Sequence, residues 1–408
     1  MKKFLIIGLA AALCLALAMP AMAKVTVGGR ATLEWSYNSI DEELASGGVA
    51  AGSTTTSNGF DEMNFVVPFT LNRLNAAYAS DDGAIKGFIE LRGGGLGQTV
   101  PSTGSLNAYF VYAWIQWQVT PTHDITFGRQ TTNFARGIPN QWVGTHVTTI
   151  LGVGFGNVNH TTERTGIKGY WKISDMFGLV WGLYDNKVWF PNAGAVGAPS
   201  SSAAPGSTAS LENTLPRVDL ALPIRFPWGK IEPSATWSKF EYDQAGPGDD
   251  GYDIYGLALE FDGSFGMFSV GAEFTWGKNL GGGSYRGAEG GRPVFYFANG
   301  AWSVEDADVL AWYIDAGFKF GPNKINVMYG QIDYENEGNP AVAFPTDSLE
   351  YEYTQTFYGI SWAIGVAKGF TIRPELMFYD YDDGAKIGGS NVNRGKEWLL
   401  GLQFMLVF

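Results

Sequence analysis

The sequence predicts an all-β fold, an antiparallel transmembrane β-barrel of 16 strands, and three observations carry that reading. Apolar and polar residues alternate along run after run, with almost no 3.6-residue periodicity between them. The connections between runs are short, then long, without a break in the order. In Glu397–Phe408, Trp398, Leu400, Leu402, Phe404, Leu406 and Phe408 share one strand face, while Glu397, Gly401 and Gln403 lie on the other. A tilted strand of about ten residues crosses a hydrocarbon layer, and a last strand closing on the first leaves no unpaired edge.

Residues 1–23 read as a signal peptide. Lys2 and Lys3 give the positive start, Phe4–Met19 the apolar run, and Ala21-Met22-Ala23 the cleavage site. The barrel domain is then residues 24–408. Cys14, the single cysteine, lies in the leader, so the mature chain has no thiol chemistry. The formal charge of −13 becomes −15 once Lys2 and Lys3 are gone, an acidic balance that argues against nucleic acid as a partner.

The strands follow in order. Val25–Tyr37 sets Val27, Ala31, Leu33 and Trp35 against Arg30, Thr32 and Glu34. Asn38–Glu62 is a polar loop, and Phe69–Ser80 turns at Asp81-Asp82-Gly83 into Ala84–Arg92. That third strand sets Lys86, Glu90 and Arg92 against Ile85, Ile89 and Leu91. Leu106–Val119, Asp124–Gln130 and Glu163–Ile173 follow. The second part runs through Phe177–Trp189, Leu215–Ile224, Lys230–Tyr242, Tyr252–Asp262 and Met267–Gly277. Asp308–Phe320, Lys324–Glu335, Tyr351–Gly365, Phe370–Tyr381 and Arg394–Phe408 complete it. Short turns at Ser174–Phe177, Phe226–Gly229, Gly263–Gly266, Gly321–Asn323 and Val366–Gly369 alternate with long loops, the pattern of a barrel trimmed at one end. Strand tryptophans such as Trp35, Trp181, Trp237, Trp276, Trp312, Trp362 and Trp398 suit membrane interfaces.

The leader, the 16-strand rhythm, the terminal Phe408 and the run Phe127-Gly128-Arg129-Gln130 together resemble the general bacterial porin family of Gram-negative outer membranes. The resemblance spans the whole mature chain. It implies an integral outer-membrane location and a homotrimer set in lipid and lipopolysaccharide. It also implies that Phe408 is the insertion signature read by the barrel-assembly machinery. Thr131–Thr162 would be the constriction loop folded into the lumen, with Arg129 on the wall beside it.

A barrel of this size leaves an aqueous channel. Lumen candidates in the first half are Arg30, Lys86, Glu90, Arg92, Arg129, Arg136, Arg164, Lys168, Lys172 and Arg217. In the second half they are Glu260, Asp262, Glu273, Asp315, Arg373 and Glu375. A mainly basic wall facing a mainly acidic one gives a transverse field, and charged rings set ion preference. Familiar porins carry acidic groups on the constriction loop. Here no Asp or Glu lies between Asn133 and His160, which predicts an eyelet less cation-preferring than the net charge suggests.

Other chemistry is weak. His123 falls in a turn, His146 and His160 in the loop, with no Cys or close carboxylates to complete a metal site. No histidine falls inside an expected strand to pair with a serine, so neither an enzyme nor a cofactor is expected. The acidic loop clusters Asp41-Glu42-Glu43, Asp249-Asp250, Glu305-Asp306 and Asp382-Asp383 read as a solvated rim or as cation bridges to lipopolysaccharide. The function expected is passive diffusion of small hydrophilic solutes and ions. One alternative is a channel selective for sugars or anions, with Tyr112, Trp114, Tyr184 and Tyr313 as a stacking slide. Another is a non-conducting adhesion or scaffold barrel.

Overall fold

The computed structural model describes residues 24–40, 49–50, 60–66, 72–93, 108–137, 163–186, 211–212, 215–242, 251–281, 293–298, 301–336, 351–381, 385–387, 390–393 and 395–408. Sixteen antiparallel strands form one closed wall. They are β1 (Lys24–Ile40), β2 (Phe60–Val66 and Arg73–Ala79), β3 (Ile85–Gly93), β4 (Ala108–Thr120), β5 (His123–Thr131) and β6 (Glu163–Lys172). Next come β7 (Gly178–Tyr184), β8 (Arg217–Ala221 and Ile224–Phe226), β9 (Gly229–Tyr242), β10 (Gly251–Phe265) and β11 (Phe268–Lys278). The last are β12 (Asp308–Phe320), β13 (Asn323–Asn336), β14 (Tyr351–Ala367), β15 (Phe370–Asp380) and β16 (Lys396–Val407). Each strand pairs with its neighbours in sequence, and β16 pairs with β1 from Val407 opposite Arg30 to Glu397 opposite Ile40. The Phe408 amide and carbonyl both bond to Gly29, so the seam is stitched to the last residue.

Faces follow the alternation. Along β1, Thr32, Glu34, Ser36 and Asn38 are buried on the inside, while the alternating Ala31 and Leu33 are exposed. In β16, Trp398, Leu400 and Leu406 point outward, and Glu397, Leu399 and Gln403 inward. The outer face is therefore a continuous apolar band, far larger than the patches a water-soluble monomer exposes. Paired aromatic rings rim it at two levels. Near the short turns, Phe226 lies 4.8 Å from Trp228 and Phe268 5.2 Å from Phe318. Toward the long loops, Tyr37 meets Trp398 at 5.2 Å and Tyr358 meets Phe378 at 5.1 Å. Rings at two interfaces are what a membrane barrel needs.

The structure corrects several expected boundaries. The second strand starts at Phe60, not Phe69, because Phe60–Val66 pairs with the long-loop end of β1. The eighth is interrupted at Leu222–Pro223, where proline has no amide to donate to a ladder. His123 begins β5 instead of lying in the turn. The expected loops 278–306 and 382–393 contain hairpins of their own, Val294–Ala298 with Ala301–Glu305 and Ala385–Ile387 with Ser390–Asn393. His146, His160, the loop tip 192–210 and the clusters at 41–43, 249–250 and 382–383 lie outside the described residues. So does the expected constriction loop beyond Gly137.

Candidate functional site

The inner face carries two rows of like charge, each spread over three adjacent strands. Arg30 on β1 is the pairing partner of Arg73 on β2, and Arg73 that of Arg92 on β3. Like charges directly opposite on one sheet face repel, so the row stands against a local cost. Glu90 offsets part of it: its Oε1 lies 2.7 Å from Arg92 Nε and 3.7 Å from Arg73 Nη1. Glu163 lies 3.7 Å from Arg92. Arg373 on β15 is within electrostatic reach of Arg30 and donates to Gln403 Oε1 at 3.0 Å.

The second row is Glu232 on β9, Glu260 on β10 and Glu273 on β11, again direct partners. These acids are engaged. Lys230 Nζ lies 3.0 Å from Glu260 and 3.3 Å from Glu232. Arg136, from the segment after β5, lies 3.4 Å from Glu232. The Gly137 amide donates to Glu273 Oε2 at 2.6 Å. Beside this row a recess of about 250 Å³ is lined by Glu260, Asp262, Ser269, Tyr313, Asp315 and Lys324.

Residues 132–137 lead inward from β5 and cross the wall. Asn133 donates its amide to Asp219 Oδ2 on β8 at 3.0 Å, Ala135 to Ser234 Oγ on β9 at 3.4 Å, and Gly137 to Glu273 on β11. Alternate amides thus meet side-chain acceptors on β8, β9 and β11, and each of these buried donors would otherwise need another partner. Asp219 is held from beneath. Arg217 Nε and Nη2 donate to its two oxygens at 2.8 and 3.1 Å, and Thr236 Oγ1 donates to Oδ1 at 2.6 Å. Between the amides, the Phe134 ring is fully buried over Gly256 and beside Leu280. A Cβ on Gly256 would stand 2.6 Å from that ring, and one on Gly137 would stand 2.5 Å from Tyr313 Oη and 2.8 Å from Glu273 Oε2. Both positions need glycine for close approach.

The other expected site residues divide. Lys86 faces the interior and is exposed; Lys168 also faces inward and bonds the Thr131 carbonyl at 3.4 Å. Arg164 and Glu375 are buried inward groups. Arg217, expected to line water, is fully enclosed and serves Asp219. Lys172 is exposed at a turn, 2.6 Å from Asp175. Arg129 departs most. Its pairing partners are Ala113 and Thr165, on the face that carries exposed Phe127 and Ile167, and its Nε donates to the Val111 carbonyl at 3.1 Å. The strand alternation sends Gln130 and Arg164 inward in its place. Tyr112 and Trp114 face the interior half-exposed, whereas Tyr184 and Tyr313 are buried. Sequence reading did not single out Arg73, Asp219, Glu232 or Phe134.

A family model described as Gram-negative porin matches residues 9–404. The chain belongs to the Gram-negative porin family. This porin is accordingly an integral outer-membrane β-barrel and a channel for passive diffusion of solutes. Its short turns lie at the periplasmic end and its long loops at the external end. Its fold is similar to that of the outer-membrane channel DcaP of Acinetobacter baumannii (TM-score 0.67, 16% identity, 96% of this chain and 99% of that one). It is also similar to an anion-selective porin from Comamonas acidovorans (TM-score 0.56, 12% identity, 95% and 100%). The trimer form of OmpT from Vibrio cholerae is a third likeness (TM-score 0.51, 12% identity, 95% and 99%). No curated protein matches the sequence.

Proposed function

We propose that the porin passes small hydrophilic solutes through a lumen that favours anions, and that it works as a homotrimer after removal of residues 1–23 as a signal peptide. One observation carries the anion preference: the two charged rows are unequally compensated. Glu232, Glu260 and Glu273 are occupied by Lys230, Arg136 and the Gly137 amide. Arg73 and Arg92 share Glu90, Glu163 pairs with Arg92, and Arg73 keeps more than a quarter of its side chain exposed while Glu232 is almost closed off. A mobile ion in the lumen therefore meets the arginine row more openly than the glutamate row, and exposed charged rings set ion preference. The Comamonas relative's description as anion-selective and the trimeric OmpT form support the same reading by analogy.

Reversal potentials of the reconstituted porin in a potassium chloride gradient test the preference. Chloride is expected to be the more permeant ion. Strong potassium selectivity would overturn the proposal. Cross-linking of the detergent-extracted porin tests the assembly, with a three-chain band expected.

A further inference from the structure

The arginine row adjoins the inward-facing aromatic cluster of the basic wall. Phe88 on β3 and Trp114 on β4 are direct pairing partners, their rings 5.7 Å apart and inclined by 27°. Tyr112, one inward position further along β4, lies 6.2 Å from Phe88. The Arg92 guanidinium sits over the Tyr112 ring at 5.3 Å. Small residues flank the pair on the adjoining strands, Ala77 opposite Phe88 and Gly128 opposite Trp114, so no bulky neighbour in the pairing row covers the rings. Both rings are half-exposed toward the lumen. Along β3, exposed Lys86 stands on the periplasmic side of this pair and Arg92 on the external side.

We infer that this wall is a graded path for planar aromatic carboxylates of the benzoate class. The inference rests on the anion-favouring reading of the lumen and goes further, to the solute's chemical class. Half-exposed rings facing water are costly unless something covers them in use, and a flat apolar ring is the cover they fit. A saturated ring of like size lacks the π-face, and a sugar lacks the charge that the arginine row and Lys86 receive. Positive charges at both ends of the ring stack give a carboxylate a partner before and after each stacked position. The Arg92 guanidinium over Tyr112 sets a positive charge beside the ring stack, where the carboxylate of a stacked solute would meet it.

The test is block of chloride current by solutes added to one side of a bilayer holding the full mature porin. Benzoate is expected to bind about five-fold more tightly than cyclohexanecarboxylate, which has the same charge and similar size. Trp114→Ala and the bulk-retaining Trp114→Leu are both expected to bring benzoate down to the cyclohexanecarboxylate level while the chloride-to-potassium reversal potential stays as in the parent. Equal block by the two acids in the parent porin would overturn the inference and leave the anion preference standing. Undiminished benzoate block in Trp114→Leu would overturn it as well. Should the parent prefer potassium, the underlying reading fails first, and the reversal potential reports that separately.

Discussion

Arg73 shows what a single residue contributes here. It joins Arg30 to Arg92, and without it the row loses its central charge. Arg73→Gln keeps a polar side chain of comparable reach and removes the charge. The reversal potential of this variant is expected to shift toward potassium relative to the parent. An unchanged potential would remove Arg73 from the selectivity argument. At the periplasmic end, Asp82 organises the first hairpin turn. It accepts from Ser80 Oγ at 2.6 Å and from the Ala84 amide at 3.0 Å. The Ser80 hydroxyl, then the Ala84 amide, hold its carboxyl below the usual range. A depressed carboxylate supports the turn above its ordinary value of about 4, and that support is lost as pH falls through the lowered value. Asp82→Ala should reproduce the acid-loosened turn at neutral pH, seen as faster exchange of the Ala84 amide. Exchange as slow as in the parent would contradict this.

Arg73 was legible in principle. It lies in the expected second strand, and the Asp81-Asp82-Gly83 turn fixes it opposite Arg92, since a tight turn sets hairpin register. The Gly263–Gly266 turn likewise sets Glu260 opposite Glu273. The remaining member of each row joins across a long loop, whose length leaves register open, so Arg30 beside Arg73 and Glu232 beside Glu260 had no local signal. Arg129 was misplaced because its motif outweighed the simple alternation with Gln130.

Among the elements, the inward segment 132–137 depends on acceptors from β8, β9 and β11. The bonds span 86, 99 and 136 residues of sequence. No sequence pattern reports contacts of that range, which is why the expected loop was recognisable by its place but its anchors were not. Two changes test the anchoring. Arg217→Met leaves Asp219 buried without its bidentate partner, a loss of about 3–5 kcal/mol for a broken buried pair. The variant should unfold at lower temperature in the heat-modified mobility shift seen on electrophoresis. Gly137→Ala drives a methyl against Tyr313 and Glu273 and should lift the Gly137 amide away, giving noisier open-channel current with little change in the heat shift. Quiet current in Gly137→Ala would show that the Gly137–Glu273 bond does not steady the segment.

The whole molecule follows from one pattern repeated 16 times. Alternation puts an oily face outward and a wet one inward, and β16 closing on β1 removes the last open edge. Strand order, count and the asymmetry of the two ends were readable from the sequence because each rests on local periodicity and turn chemistry. The early start of β2 was not, because Phe60–Val66 is placed by pairing with β1 across a long loop whose length leaves register open. Everything about transport depends on the interior being open to water from end to end. Single-channel recording of the purified mature porin in a planar bilayer tests this directly. Discrete, ohmic conductance steps are expected in potassium chloride. Insertion into the bilayer with no steps at all would contradict the account.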